Sequence, residues 1–188
     1  MSKRKLYIIS GPSGSGKDTI IEMLLKDTSL NLSKAKSYTT RSQRNETDDQ
    51  DKYLFVDEST FKKYEASGEI IESNLYNGHW YGSSKSEIEK VIKEGKNAIK
   101  DVDVNGGLYY KKQYPDAVLI FIKTNLDDLK KRLENRGDTT PEQIEARLKT
   151  AKSELALEKE YEFSIVNPEG HPEKAAEEIK RIIQNERR

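Results

Sequence analysis

The sequence contains no cysteine and only two histidines, His79 and His171, among its 188 residues. The absence of cysteine excludes disulfide scaffolds, thiolate zinc sites, iron–sulfur clusters and cysteine nucleophiles. Two histidines are too few for a metal site built from several imidazole ligands. A chain of this length buries enough surface to fold without such links, so we expect one domain around an ordinary apolar core.

The sequence also lacks an excess of charge of either sign and any long apolar run. Lys and Arg number 33, Asp and Glu also number 33, and the formal net charge is zero. Proteins that hold nucleic acid through bulk charge are usually basic, so we expect no nucleic-acid partner. No apolar run approaches the roughly 20 residues of a membrane span, and no signal-peptide core follows the basic start. We therefore expect a cytoplasmic protein without a membrane partner.

Short apolar runs alternate along the chain with segments of helical periodicity. The runs at 6–9, 97–102, 118–122 and 163–166 are typical of buried strands. Their alternation with helices predicts an α/β fold, in which helices cover both faces of a parallel sheet. The polar middle of the chain, about 37–84, interrupts this alternation with short strands and turns, and we interpret it as an inserted substrate subdomain.

Capping patterns predict where three of the helices begin. Ser86 starts a capping-box pattern that predicts a helix over 86–94, and Asn125 precedes a predicted helix over 126–136. Thr140 starts a second capping box, with proline at the first helical position, and that helix is predicted to run to about Lys159.

A run of seven residues follows the first predicted strand and matches the beginning of the P-loop pattern G-x-x-x-x-G-K-[ST]. The run consists of Gly11, Pro12, Ser13, Gly14, Ser15, Gly16 and Lys17. The glycines allow successive backbone N–H groups to converge on phosphate oxygens, and the following helix adds positive potential at its N-terminus. Lys17 supplies a mobile positive charge for the β- and γ-phosphates. A Gly/Ser turn without a ligand is the alternative, but strand, spacing, lysine and helix together favour an ATP-binding loop.

The residue after Lys17 departs from this pattern, because Asp18 stands where serine or threonine is usual and the hydroxyl follows at Thr19. Asp18 and Thr19 are candidates for binding ATP and for ligating Mg²⁺, directly or through water, since magnesium prefers hard oxygen ligands. Alternatively, Asp18 weakens nucleotide binding by repulsion. Asp101 and Asp103 end a predicted strand at the edge where α/β proteins bind ligands. Asp101 is thus a further candidate for organising the waters of Mg²⁺, although such a pair also forms turns.

Two arginines, Arg41 and Arg44, lie three residues apart in a polar stretch, and Tyr53 follows nine residues later. Guanidinium groups bind phosphate oxygens in a bidentate manner, and a tyrosine hydroxyl adds another donor. The combination predicts a clamp for a second phosphate group. A solvated charged loop is the alternative interpretation of the same residues.

Six segments occur in an order that resembles the guanylate kinase family. They are the P-loop, Ser37-x-Thr39-Thr40-Arg41-x-x-Arg44, Tyr53-x-Phe55-Val56, Gly68-x-x-x-Glu72, Tyr81-Gly82-Ser83 and Asp101-x-Asp103-x-x-Gly106. The resemblance spans nearly the whole chain, from Ile8 to about Val166. It implies a P-loop NTPase-type core (1–36, 85–125 and 160–188), an inserted small GMP-binding subdomain (about 37–84) and a helical lid (about 126–159). It also implies Mg²⁺-dependent transfer of the γ-phosphoryl group of ATP to GMP.

The resemblance also implies a role for individual positions. The residues that match those holding the GMP phosphate are Arg41, Arg44, Tyr53 and Tyr81. The residues that match those around guanine are Ser37, Glu72 and Ser83, with Asp103 close by. Chemistry supports Glu72 independently, because guanine presents N1–H and N2–H₂ side by side and one carboxylate accepts hydrogen bonds from both. Adenine lacks this pair of donors.

The resemblance places further residues on the ATP side. Arg136 and Arg147 match the spacing of the family's lid arginines, and we expect them to act with Lys17 and Arg41 as catalytic residues that stabilise charge on the transferred group. Ordinary exposed arginines are the alternative. Arg132 and Asn167 are additional candidates for ATP binding, the latter near adenine.

Two other functions stay open, because some positions depart from the family: Thr47 replaces a usual glutamate, and Pro168 stands where acidic residues are usual. Ribose 1,5-bisphosphate phosphokinase resembles the chain in the Gly-Lys-Asp of the P-loop, but not in the arginine clamp or in Glu72. A non-catalytic guanylate-kinase-like interaction module typically lacks the P-loop and lid arginines that this chain retains. We expect GMP and ATP as small-molecule partners, and a monomer or homodimer.

Overall fold

The computed structural model describes residues 4–43, 51–135 and 140–186. The strands in these ranges are β1 (Leu6–Ser10), β2 (Leu32–Lys34), β3 (Ser37–Thr39), β4 (Tyr53–Phe55), β5 (Ile70–Tyr76), β6 (His79–Ser84), β7 (Asn97–Asp101), β8 (Val118–Lys123) and β9 (Phe163–Val166). The α-helices are α1 (Lys17–Lys26), α2 (Glu58–Ala66), α3 (Lys85–Lys93), α4 (Val104–Gln113), α5 (Leu126–Asn135), α6 (Pro141–Leu155) and α7 (Pro172–Asn185). Single 3-10 turns lie at Thr28–Leu30 and Glu158–Glu160.

The chain divides into two compact units. The larger unit comprises Met1–Asn31 and Ile99–Arg188, and the smaller unit comprises Leu32–Ala98. The limits of core, substrate subdomain and lid given above remain a prediction.

The central sheet contains five strands in the order β2-β7-β1-β8-β9. β1 pairs in parallel with β8, and β8 pairs in parallel with β9. All five side chains of β1 are buried, and because successive side chains point to opposite faces of a strand, both faces are covered there. The predicted parallel α/β fold is therefore confirmed, and the carboxyl ends of β1, β8 and β9 lie at one edge.

Apolar residues at helical spacing hold the helices of the larger unit in place. In α7 the buried residues Ala175, Ile179 and Ile183 follow one another at intervals of four, which gives the helix a single apolar stripe. A second cluster joins α5 to α6, where Leu129, Leu133, Ile144 and Ala151 are all buried. The two helices predicted as the lid thus share an apolar contact of their own.

Two predicted capping sites are confirmed. Asn125 accepts a hydrogen bond from the backbone N–H of Asp128, at 2.7 Å, immediately before α5. Thr140 and Gln143 exchange the two hydrogen bonds of a capping box at the start of α6. That helix ends at Leu155 rather than at Lys159, because a 3-10 turn replaces its last predicted turn.

The predicted cap of α3, Ser86, is wrong by two residues, and the helix begins at Lys85 rather than at Ser86. The capping residue is Ser84, whose hydroxyl accepts a hydrogen bond from the backbone N–H of Glu87, at 3.2 Å. The sequence offers the same Ser-x-x-Glu pattern in two overlapping registers, and the upstream one is used. Ser86 instead lies in the first turn of the helix and donates hydrogen bonds to Glu69.

Helix α4 was not predicted, because Gly106 and Gly107 weaken its helical pattern. The structure gives a reason for Gly107. A Cβ atom at this position would overlap the hydroxyl of Tyr161, which donates a 2.8 Å hydrogen bond to the carbonyl of Val104. Glycine at position 107 therefore leaves room for Tyr161 to pack directly against the backbone of α4.

The smaller unit contains a four-stranded sheet in the order β4-β3-β6-β5. β3 pairs in parallel with β4 and antiparallel with β6, and β5 and β6 form an antiparallel pair. Phe61 of α2 is buried and stacks on Trp80 with ring centroids 6.0 Å apart. In neither unit does a described helix combine the length and the apolar character needed to cross a membrane.

Candidate nucleotide-binding sites

The glycine-rich segment connects the buried end of β1 to the start of α1, as the P-loop pattern predicts. The loop curls back on itself, since the N–H of Ser15 donates a 3.0 Å hydrogen bond to the carbonyl of Pro12. Gly16 occupies the position before α1 with φ +89°, and no side chain of the described residues caps this end of the helix. The first N–H groups of α1 therefore keep their capacity to bind an anion.

Lys17 lies at the first position of α1, and its ammonium group folds over the loop. It donates hydrogen bonds to the carbonyls of Gly11 and Pro12, at 2.5 and 3.0 Å. Desolvation lowers the pKa of Lys17, while the carboxylates of Asp18 and Asp101 act in the opposite direction. A triphosphate would offer this ammonium stronger acceptors than two carbonyls, so the lysine is placed to exchange one set for the other.

A hydrogen-bonded network fixes the loop from the other side. The carbonyl of Ser15 accepts hydrogen bonds from the Asn167 side-chain amide, at 2.7 Å, and from Nη1 of Arg132, at 3.2 Å. Nη2 of Arg132 donates to the carbonyl of Asn167, at 3.1 Å, and Nε pairs with Glu169 at 2.6 Å. Arg132 and Asn167, both predicted ATP-binding residues, thus contact the phosphate loop directly, whereas Glu169 was not predicted.

A cavity of about 190 Å³ lies beside this network. Its lining includes Gly14, Gly16, Thr19, Arg132, Asn167 and Glu169. Two buried polar atoms near it, the hydroxyl of Ser15 and the side-chain carbonyl of Asn167, have no hydrogen-bond partner among the described residues. Buried polar atoms usually find partners, so this part of the larger unit is suited to a polar ligand.

The predicted magnesium ligands fit the ion in their chemistry. Asp18 and Thr19 lie exposed in the first turn of α1, and Asp101 ends β7. Hard oxygen donors of this kind suit Mg²⁺. Within 4–43, 51–135 and 140–186, no three acidic or histidine side chains converge as a metal site.

Two acidic residues beside the loop have other roles in the structure. The carboxylate of Asp103 caps α4 by accepting a 2.7 Å hydrogen bond from the N–H of Gly106, and its predicted guanine contact remains a prediction. Glu154 of α6 was not predicted. Burial raises its pKa, and the charge of Lys17 acts against that shift, so the two residues interact electrostatically. Its spacing of seven from Arg147 places both on one helix face, a signal available in the sequence.

A second group of predicted residues lies together in the smaller unit. Ser37 of β3 pairs with Tyr53 of β4 on one side and with Ser83 of β6 on the other. Tyr81 is two residues from Ser83 on the same face, and its ring packs edge-on against Tyr53 at 5.8 Å. The three strands thus present four of the predicted GMP-binding residues in adjacent positions.

The charged members of this group lie beside the same strands. The hydroxyl of Ser83 donates a 2.5 Å hydrogen bond to the carboxylate of Glu72 on β5. The guanidinium carbon of Arg41 lies 5.5 Å from the ring centre of Tyr53 and 5.8 Å from that of Phe55. The smaller unit therefore combines an acidic group and a basic group at one polar sheet.

Not every predicted site residue can be placed. Arg44 and Arg136 lie outside the described residues, as does Thr47. Arg147 is half-buried in the middle of α6. Its predicted catalytic role, like that of Lys17 and Arg41, remains a prediction.

Comparison with known proteins identifies the family. The guanylate kinase family matches residues 3–186. The guanylate kinase of Fusobacterium nucleatum subsp. nucleatum is 37% identical over 98% of both chains, and that of Nitrosomonas europaea is 38% identical over 97% of this chain and 90% of its own. The crystal structure of guanylate kinase from Anaplasma phagocytophilum superposes with a TM-score of 0.75 at 28% identity, covering 99% of this chain and 87% of that one. Shikimate kinase from Bacteroides thetaiotaomicron, 9% identical with a TM-score of 0.50, shares the fold alone. The sequence-based assignment is thus confirmed, and the chain belongs to the guanylate kinase family.

Proposed function

We propose that this chain transfers the γ-phosphoryl group of ATP to GMP, forming ADP and GDP. The observation that carries the proposal is the pair Glu72–Ser83, joined by a 2.5 Å hydrogen bond beside Ser37 and Tyr53. A carboxylate in this position can accept hydrogen bonds from N1–H and N2–H₂ of guanine. The P-loop of the larger unit supports ATP as the donor.

The reaction requires correct positioning of the two substrates and does not require a general base. An oxygen of the GMP phosphate, already ionised, attacks the γ-phosphorus of ATP. The bond from that phosphorus to the β,γ-bridging oxygen breaks, and its electron pair stays on the β-phosphate of ADP. The protein contributes in-line positioning and electrostatic stabilisation of the transferred group.

The residues divide this work between donor and acceptor. Lys17 would move from its two carbonyl partners to the β- and γ-phosphates, where its charge offsets that of the transferred group. Arg41, with the hydroxyls of Tyr53 and Tyr81, would hold the GMP phosphate and reduce the repulsion between two anionic substrates. Arg44 belongs to the same clamp in this proposal.

Two further contributions belong to the proposal. Arg136 and Arg147 would add positive charge to the transferred group when the lid closes and excludes water. Asp18, Thr19 and Asp101 are the side chains that would hold Mg²⁺, directly or through water. Mg²⁺ held by these residues would neutralise part of the charge on the phosphates of ATP.

A coupled assay of ADP release tests the proposal. The purified chain is given ATP and Mg²⁺ with GMP, AMP, UMP or ribose 1,5-bisphosphate in separate reactions. We expect turnover with GMP alone. Turnover only with the ribose bisphosphate would replace the proposal by that kinase activity, and ATP binding without turnover would favour an interaction module.

A substitution of Glu72 tests whether this carboxylate recognises guanine. Glu72→Gln replaces one acceptor oxygen by a donor, and we expect the KM for GMP to rise about ten- to a hundredfold. Glu94→Gln is the matched control, because Glu94 lies in the same unit and pairs with Lys96 at the surface. An unchanged KM for GMP in Glu72→Gln would remove Glu72 from guanine recognition.

The proposal includes GMP and ATP as partners of a cytoplasmic enzyme that is a monomer or a homodimer. Light scattering of the purified chain, with and without both nucleotides, distinguishes the two states.

A further inference from the structure

One carboxylate oxygen in the smaller unit accepts four hydrogen bonds. Oε1 of Glu69 receives them from the hydroxyl of Tyr38 at 3.2 Å, the hydroxyl of Ser84 at 2.8 Å, and the N–H and hydroxyl of Ser86 at 3.2 and 2.6 Å. Glu69 also contributes its backbone carbonyl, which accepts a 2.9 Å hydrogen bond from the N–H of Lys85. Neither the sequence patterns nor the proposed chemistry uses this residue.

The donors lie next to the predicted guanine-binding residues. Tyr38 follows Ser37 in β3, and Ser84 follows Ser83 in β6. Glu69 itself immediately precedes β5, the strand that carries Glu72. One side chain therefore ties together the three strands on which the predicted guanine contacts lie.

The pairing of β5 with β6 shows why the hydrogen bonds to Glu69 are important. Ile70 pairs with Ser84 and Ser73 pairs with Gly82, so the register shifts by one residue between the two pairs. Two residues of β5, Ile71 and Glu72, thus lie opposite Ser83 alone, as in a β-bulge. Bulges redirect side chains, and here Glu72 reaches the Ser83 hydroxyl at 2.5 Å.

Glu69 lies two residues before Ile71, the first residue of this bulge, and its carboxylate contacts Ser84, the partner of Ile70. The hydroxyl of Ser84 has a single proton, which it donates to Glu69 while accepting from the N–H of Glu87 at the start of α3. Removal of the carboxylate would release Ser84, the partner of Ile70, and with it the register that aims Glu72. The hydroxyl of Tyr38 would lose its acceptor at the same time.

An amide would be a weaker acceptor at this position. Four donors converge on Oε1 of Glu69, and the carbonyl oxygen of glutamine lacks the negative charge that strengthens hydrogen bonds to a carboxylate. Desolvation raises the pKa of Glu69, but hydrogen bonds from Ser86 and Ser84 outweigh it and keep the pKa below its ordinary value. The group is therefore ionised at neutral pH.

We propose that Glu69 is a positioning residue for base selection: it fixes the β5 bulge so that Glu72 and Ser83 meet guanine in one geometry. The inference rests on the proposed function and adds a determinant of its specificity. Its signature is a change in the choice between GMP and IMP, because IMP lacks the N2 amine and engages Glu72 through fewer hydrogen bonds. A residue that only stabilises the unit would leave this choice unaltered.

The test measures kcat and KM of wild type and Glu69→Gln with GMP and with IMP, together with the KM for ATP. We expect the KM for GMP to rise about tenfold in the variant and the preference for GMP over IMP to fall by a similar factor. The KM for ATP should be unchanged. Asp57→Ala is the control, because it removes the side-chain cap of α2 in the same unit and lowers stability without touching the three strands.

Each outcome decides one question. A wild type that does not phosphorylate GMP overturns the proposed function, and then nucleotide titration calorimetry still compares GMP with IMP in both proteins. An active wild type and a variant with unaltered preference overturn the inference alone. Should Glu69→Gln fail to fold, Ser86→Ala removes the hydroxyl that contacts Glu69 and Ser84 while keeping the carboxylate. A smaller fall in the preference for GMP over IMP is then expected.

Discussion

The side-chain amide of Asn167 donates a 2.7 Å hydrogen bond to the backbone carbonyl of Ser15, and so joins the end of β9 to the phosphate loop. The contact leaves no room for a side chain at Gly16, whose Cβ position would overlap that amide. Close approach of the amide and the left-handed backbone at φ +89° both require glycine here. The loop geometry therefore depends on two residues that are 151 positions apart in the sequence, Gly16 and Asn167.

We expect Gly16→Ala to lower the free energy of unfolding and to raise the KM for ATP. Gly95→Ala is the matched control, since Gly95 also has a positive φ, +78°, but its Cβ position meets no atom within 4 Å in the part of the chain that the structure describes. Both variants lose stability because alanine is strained at a positive φ. The overlap with Asn167 should add about 1–3 kcal/mol to the loss in unfolding free energy of Gly16→Ala. Urea unfolding measures the difference, and equal losses would show that Asn167 yields without cost.

The ammonium of Lys17 provides a prediction with two separable readouts. We expect Lys17→Met to reduce kcat about 10²–10³-fold, the range for a lost electrostatic contact to a reacting group. Its effect on stability should depend on pH. Desolvation lowers the pKa of Lys17 in the folded state, so between that pKa and 10.5 the folded chain binds fewer protons than the unfolded chain.

Stability of the wild type, relative to Lys17→Met, should therefore rise with pH in that window. Chemical unfolding of the nucleotide-free proteins at neutral pH and near pH 10 measures the trend. A relative stability that falls over this range would contradict the lowered pKa, whatever the effect of the substitution on kcat.

Arg41 lies between 5 and 6 Å from two aromatic rings, which allows a comparison of arginine with lysine. We expect Arg41→Lys to raise the KM for GMP about tenfold with little change in the KM for ATP, because lysine loses the planar fork and the ring contact. Lys62→Met is the control, since Lys62 makes a cation–π contact with Trp80 at 3.5 Å in the same unit. Equal effects of both variants on KM would make the loss one of packing rather than of phosphate binding.

The phosphate loop and the strands around it could be predicted because their signals are local. Gly11–Lys17 is a contiguous pattern, and Thr140 with Gln143 forms a capping box three residues apart. The guanine site was predicted only through the order of short segments, and the structure adds the pairing that brings Ser37, Tyr53 and Ser83 together.

Other features could not be predicted because they depend on distant partners. Glu69 contacts residues up to 31 positions away, and Glu169 pairs with Arg132 across 37 positions. Neither has a local pattern that differs from an ordinary surface glutamate. Gly107, one of the two glycines that weaken the helical pattern of α4, is likewise explained only by the position of Tyr161.

The ion pair between Asp27 and Lys180 should make stability depend on pH in the acid range. Hydrogen bonds from Lys180, at 2.7 Å, and from Ser29 lower the pKa of Asp27 from 3.8 to about 2. A carboxylate with a lowered pKa stabilises the fold above its unfolded pKa, and this contribution is lost as the pH falls from 3.8 towards 2. We therefore expect Asp27→Asn to be less stable than wild type at pH 6, with the difference shrinking towards zero near pH 2.

Glu177→Gln is the control, because Glu177 pairs with Arg181 in the neighbouring turn of α7 at a looser 3.8 Å. Thermal unfolding at pH 2, 3, 4 and 6 measures the difference, and a gap between Asp27→Asn and wild type that stays constant with pH would contradict the lowered pKa.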